Sequence, residues 1–164
     1  RRIDSLGEAL ARLGRDQLQR WLQILLYSKP GASVELNSPL LQMASTRGKL
    51  LELMTEKLHP GWRACADTGF TVGIMSLTDA LFSMSMEDIL KTVVVPEEVR
   101  NALLKREGEF GEMLRVVELL ENPTEGAALA RSLKRLGLTV RQIRDIELRA
   151  FEWVNELAQE VRAA

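Results

Sequence analysis

The chain has 164 residues, of which 46% are apolar and 27% charged, the make-up of one soluble globular domain rather than a disordered segment. Its 22 basic and 23 acidic side chains nearly cancel, which excludes a global field that would recruit nucleic acid or an anionic membrane. A single cysteine, Cys65, excludes an internal disulfide and a cysteine-built zinc cluster, and fits a reducing, cytoplasmic compartment.

The pattern is helical throughout. Ile3, Leu6, Leu10 and Leu13 recur every three or four residues until Gly14 stops the turn, and Leu18, Trp21, Leu22, Leu25 and Leu26 continue to the break at Lys29-Pro30-Gly31. After a loop, Asn37 or Ser38 is the expected cap of a helix with Pro39 in its first turn. His59-Pro60-Gly61 interrupts it, and one long helix is expected over 62–83. Ser85 caps a short helix with Glu87 and Asp88 in its first turn, and Val93-Val94-Val95 is too short for a strand and reads as a connector. Pro96 is expected at the first position of the next helix, with Gly108 and Gly111 bracketing a break before a helix over 113–120. Asn122-Pro123-Thr124 opens another helix that closes at Gly137, and Thr139 caps the last. The expected fold is all-α, one unit without repeats, linkers or a second domain. No run reaches the ~18–20 consecutive apolar residues of a membrane span. The chain opens Arg1-Arg2-Ile3-Asp4, lacks the apolar run of a signal peptide, and reads as a piece of a longer protein.

The chemistry is sparse. His59 is the one histidine, so a hydrolytic metal centre would have to be built almost wholly from carboxylates, and no metal ligand is assigned. Ser–His–Asp or Cys–His catalysis would rest on that same loop residue. Ser76, Asp79 and Ser83, spaced i, i+3, i+7, fall on one stripe of the expected long helix among Ile74, Met75, Leu77, Leu81 and Phe82. Two readings stand for that seam: a polar groove for a ligand, or a satisfied link between packed helices, since a buried aspartate needs donors. Gly48, between Arg47 and Lys49, costs about 1 kcal/mol against alanine and suggests the close approach of another helix. Arg131, Lys134, Arg135, Arg141 and Arg144 form a basic stretch without interleaved aromatics, which suits a solvated face better than nucleic-acid binding. Trp21, Trp62 and Trp153 fall on apolar stripes, and Trp62 at a helix start could instead be a surface anchor. No glycine-rich phosphate loop is present, and no cofactor is expected.

Three stretches in order carry a family resemblance. "IDSLGEALARLGRDQLQRWLQILLYS" (3–28), "ASTRGKLLELM" (44–54, with Arg47, Lys49 and Glu52 in register) and "TGFTVGIMSLTDALFSMSMEDIL" (68–90) resemble the HDOD domain, a degenerate relative of the HD-type metal phosphohydrolases. The likeness is greatest to the C-terminal HDOD half of bacterial EAL–HDOD signalling proteins. In true HD enzymes the corresponding helix reads like G-L-L-H-D-I-G, and its His–Asp pair holds the metals. Here G-I-M-S-L-T-D puts Ser76 and Leu77 at those positions. A hydroxyl and an isobutyl group cannot replace those ligands, so the resemblance implies a vestigial site and a compact HDOD-like bundle over 1–164 that lacks the family's first helices.

The function expected from this is a catalytically silent regulatory or scaffolding module of a bacterial signalling protein, controlling an attached EAL cyclic di-GMP phosphodiesterase. Its partners would be other signalling domains or a second copy, not nucleic acid or membrane. Trp21, Trp62 and the Arg47–Glu52 stretch are the candidate contacts. The alternatives are a sensor that binds a nucleotide or other small molecule at the Ser76/Asp79/Ser83 seam, and a residual metal-dependent phosphohydrolase.

Overall fold

A computed structural model describes residues 39–163, and over that span the helical periodicity resolves into eight helices. These are α1 (Pro39–Leu58), α2 (Arg63–Met75), α3 (Thr78–Phe82), α4 (Met86–Thr92), α5 (Glu97–Lys105), α6 (Gly108–Glu121), α7 (Gly126–Leu136) and α8 (Val140–Ala163). No strand occurs among the described residues, and Val93–Val95 is an extended connector. The protein is an all-α bundle. Trp21 and the rest of the first resembling stretch lie outside the described residues.

α1 is the central element. It buries residues on nearly its whole circumference, including Leu50, Leu51, Leu53 and Met54, and α2, α6 and α8 all pack on it. α5 and α7 complete the bundle against α6. The fully buried side chains are drawn from most of the described helices: Leu51 and Met54 of α1, Ile74 and Met75 of α2, Leu90 of α4, Met113 and Leu114 of α6, Leu133 of α7 and Ile143 of α8. Such mutual burial of apolar stripes supplies most of what holds short helices together.

Small residues bring α1 and α2 together. A methyl group added at Gly73 would stand 2.4 Å from the Arg47 carbonyl oxygen and 2.6 Å from Gly48 Cα. At Gly48 it would meet Ile74 Cγ1 at 2.9 Å, so the expected close approach is real and reciprocal. The two backbones touch where glycine faces glycine.

The expected helix over 62–83 is in fact two. α2 ends at Met75, and Leu77 leaves helical geometry at φ −115°, ψ 5°. Hydroxyls make the break: Ser76 Oγ donates to the Gly73 carbonyl at 2.7 Å, and Thr78 Oγ1 donates to the Met75 carbonyl at 2.7 Å. Side-chain donors of this kind compete with the backbone ladder and bend helices. α3 then ends at Ser83, which is left-handed at φ 53° and lets the Met84 amide donate to the Asp79 carbonyl at 3.1 Å.

Other boundaries shift for local reasons. Ser85 caps α4 as expected, its hydroxyl accepting the Asp88 amide at 3.1 Å. Pro96 stands one position before α5 with ψ 150°, not inside it. The break expected between Gly108 and Gly111 falls earlier, at Arg106, which is left-handed at φ 57°. Gly111 is helical and buried, because any Cβ there would lie 2.3 Å from the Arg106 carbonyl carbon. Asn122-Pro123-Thr124 is a turn ahead of α7, which does close at Gly137. Thr139 caps α8 reciprocally with Gln142: the Gln142 amide donates to Thr139 Oγ1 at 3.2 Å, and the Thr139 amide to Gln142 Oε1 at 2.9 Å.

Candidate functional site

The site is best built outward from Ser76, at the α2–α3 break. Its side chain is 6% exposed. The hydroxyl donates to the Gly73 carbonyl and accepts Arg47 Nη1 at 3.0 Å. Arg47 reaches it from the middle of α1 and is itself gripped from α6: Nε donates to Glu121 Oε1 at 2.8 Å and Nη2 to Glu121 Oε2 at 2.7 Å. This bidentate fork suits the planar guanidinium. Three helices are thereby joined through one cation. Leu77, the second position of the His–Asp pair in the resemblance, is half-buried and brings no polar atom.

The remaining members of the expected seam do not join Ser76. Asp79 lies beyond the break and is half-buried, and its carboxylate accepts the Ala80 amide at 2.8 Å. The arginine goes to the serine instead. Ser83 is exposed at the end of α3. Because the helix is interrupted at Leu77, the i, i+3, i+7 spacing does not make one stripe.

Glu52 anchors a second polar cluster. At 1% exposure it accepts Lys49 Nζ at 2.5 Å and Arg63 Nη2 at 2.9 Å. Arg63 also reaches Glu56 at 3.1 Å and Asp67 at 2.8 Å. Burial tends to lower the pKa of Arg63, but the attraction of Glu52, Asp67 and Glu56 outweighs it and holds the value above the usual one. Lys49 lies 5.3 Å from the centre of the Trp153 ring, and Trp153 meets Phe70 edge-to-face at 6.1 Å. These charges clamp α1 to α2 and α8. Arg47 and Glu52, named from sequence as contacts for a partner, are therefore placed inside the fold. Trp62, named with them, is 61% exposed and is the one of the three that faces solvent.

His59 closes the α1–α2 turn. Its Nε2 lies 2.5 Å from Glu109 Oε1, and its ring meets Trp62 edge-on at 5.8 Å. Cys65 is partly buried nearby, where burial first, then Glu109 and Glu98, push its thiol pKa up. Among the described residues, no three His, Cys, Asp or Glu side chains converge as metal ligands would. Likewise, among these residues no helix is long and apolar enough to cross a membrane.

A cleft of about 450 Å³ opens between the second half of α1 and the start of α8, lined by Leu53, Glu56, Lys57, Arg141, Asp145 and Arg149 among others. Sequence reading placed Arg141 on a solvated basic face and did not connect it with α1. The i, i+4, i+8 spacing of Arg141, Asp145 and Arg149 was a signal for one shared face. Glu121 was also missed as the partner of Arg47, because the two lie 74 residues apart and nothing local links them.

No protein-family model matches this chain, and no solved structure matches it. Two curated proteins do. The chain is 29% identical over 124 residues to the uncharacterized protein YuxH of Bacillus subtilis, a stretch covering 74% of this chain and 29% of that protein. It is 25% identical over 155 residues to a Vibrio cholerae protein named cyclic di-GMP phosphodiesterase CdgJ, covering 94% of this chain and 35% of CdgJ. The chain is thus a distant relative of both proteins over a segment that spans about a third of their length.

Proposed function

We propose that this segment is a non-catalytic regulatory or scaffolding module of the HDOD type, acting in signal transduction on a cyclic di-GMP phosphodiesterase domain of the same parent chain. The observation that carries this reading is the Arg47–Ser76–Glu121 link. The position that aligns with a metal-holding His–Asp pair is occupied by a hydroxyl whose bonds are already used within the fold. A guanidinium, paired with Glu121, supplies the positive charge there. The relationship to CdgJ along nearly the whole chain supports the link to cyclic di-GMP signalling.

Mechanistically, such a module biases the activity of a neighbour by docking one of its states better than another. Trp62 is suited to such a contact: it is exposed, large, and held in orientation by His59. The surface it meets belongs to the attached domain or to a second copy of the chain. A ligand pocket at Ser76 gains no support from this geometry, because Ser76 and Arg47 are buried against one another.

The test is cyclic di-GMP hydrolysis by the intact parent chain, compared with the same chain lacking residues 1–164 and with Trp62→Ala. Activity that is present in both chains but altered by the deletion supports the reading, and Trp62→Ala is expected to shift it in the same direction. A parent without this hydrolysis, or one indifferent to the deletion, overturns it.

A further inference from the structure

We infer that the cleft between α1 and α8 is a binding site for a small phosphorylated ligand with a flat or apolar body. This does not depend on the regulatory reading above, since it concerns a different face and different residues. α1 and α8 run antiparallel: Lys49 meets Trp153, while Lys57, eight residues later, shares the cleft with Arg141 and Gln142. Lys57 and Arg141 therefore stand at one end, beside the start of α8, where the helix dipole adds to their positive charge. Arg149 stands two helical turns along, roughly 12 Å away at 1.5 Å per residue.

These cations combine a shared cleft with the lack of an ion-pair partner among the described residues. Arg47, Arg63, Arg106, Arg115, Arg135 and Arg144 are each engaged by a carboxylate, and Arg100 donates to the Leu90 carbonyl. Among the described residues, Lys57, Arg141 and Arg149 form no ion pair, although Asp145 lies within one helical turn of both arginines. Glu56 in the same cleft is drawn off by Arg63. The three free cations thus face a cavity with Leu53 and Ile146 beneath it, each nearly buried. A volume of about 450 Å³ suits a molecule the size of a mononucleotide. In this arrangement the phosphate sits on Lys57 and Arg141. The body lies over Leu53 and Ile146 with the Arg149 guanidinium against its face, and Asp145 accepts from a hydroxyl or amino group. The carboxylates discriminate against ligands that are anionic throughout.

Titration of the full chain with adenosine monophosphate and with inorganic phosphate, followed by calorimetry at fixed ionic strength, tests this. Saturable binding of the nucleotide is expected, with weaker binding of phosphate alone. Arg141→Gln and Lys57→Gln are each expected to weaken nucleotide binding at least about tenfold, the loss of one charge-assisted hydrogen bond. Arg131→Gln, which removes an unpaired exposed arginine outside the cleft, is expected to leave it unchanged. The inference is overturned if neither probe saturates in the millimolar range. It is overturned equally if Arg131→Gln weakens binding as much as the cleft variants, which would mark unspecific charge attraction. Because no hydrolysis is measured, failure here leaves the regulatory reading standing, and the reverse also holds.

Discussion

Gly73 and Gly126 are the same residue type with opposite surroundings, and that contrast predicts their tolerance. A Cβ at Gly73 points at the backbone of α1, at Arg47 O and Gly48 Cα, neither of which can swing aside as a side chain would. Gly73→Ala is therefore expected to force α1 and α2 apart and destabilise the fold by about 3 kcal/mol, the upper range for overpacking. It would also disturb Arg47 and with it the grip on Ser76. Gly126 opens α7 with nothing within 4 Å of its would-be Cβ. Gly126→Ala is expected to stay within about 0.5 kcal/mol of the parent. Urea midpoints of the two variants decide the matter, and equal stabilities would mean that α1 and α2 are not in backbone contact.

At the scale of an element, α4 illustrates how a seven-residue helix is held by local chemistry. Ser85 caps it, Asp88 accepts from both Lys91 Nζ and Ser85 Oγ, and Lys91 neutralises the C-terminal end. The hydrogen bond from Lys91 first, then that from Ser85, holds the Asp88 carboxyl below its usual pKa. The hydrogen bond to Asp88 and its charge hold Lys91 above the usual lysine value. The signs follow by linkage. A carboxyl with a depressed folded pKa lends support above its unfolded value and loses it as pH falls through the folded one. A raised lysine lends support below its unfolded value and loses it as pH rises through the folded one. Protection of the Asp88 and Ile89 amides from hydrogen exchange, corrected for intrinsic rate, is thus expected to be flat around neutrality. It should fall below the ordinary carboxylate range and again above the ordinary lysine range. Asp88→Asn is expected to remove the acid limb, and an unchanged limb in that variant would assign it to another group.

For the whole molecule, the two tryptophans among the described residues, Trp62 and Trp153, divide by packing, although their sequence contexts look alike. Trp153 ties α8 to the rest through the Phe70 edge and the Lys49 ammonium, which itself balances the buried Glu52. Trp153→Ala is expected to cost about 2–3 kcal/mol, below the range for a fully buried tryptophan because the ring is half-exposed. Trp62→Ala removes an exposed ring and is expected to leave unfolding within about 0.5 kcal/mol. Thermal unfolding of the two variants separates a residue that holds the bundle together from one available to a partner. A large loss at Trp62 would withdraw it as a surface contact.

The sequence by itself determined the helical class, most of the breaks and the caps at Ser85, Thr139 and Gly137, because these depend on neighbours within about one turn. It also gave the close approach at Gly48, since a helical glycine between two cations has little other use. What it could not give was which polar groups meet. The spacing of Ser76, Asp79 and Ser83 predicted one stripe, yet two hydroxyls turned the chain at Leu77 and separated them. Arg47 and Glu52 were candidate contacts for a partner, and it took α6 with Glu121 and α2 with Arg63 to hold them inside. The cleft needed α8 laid against α1 before Lys57 and Arg141 could face one another. Such pairings span tens of residues, and only the burial of apolar stripes, which fixes how helices lie against each other, brings their partners within reach.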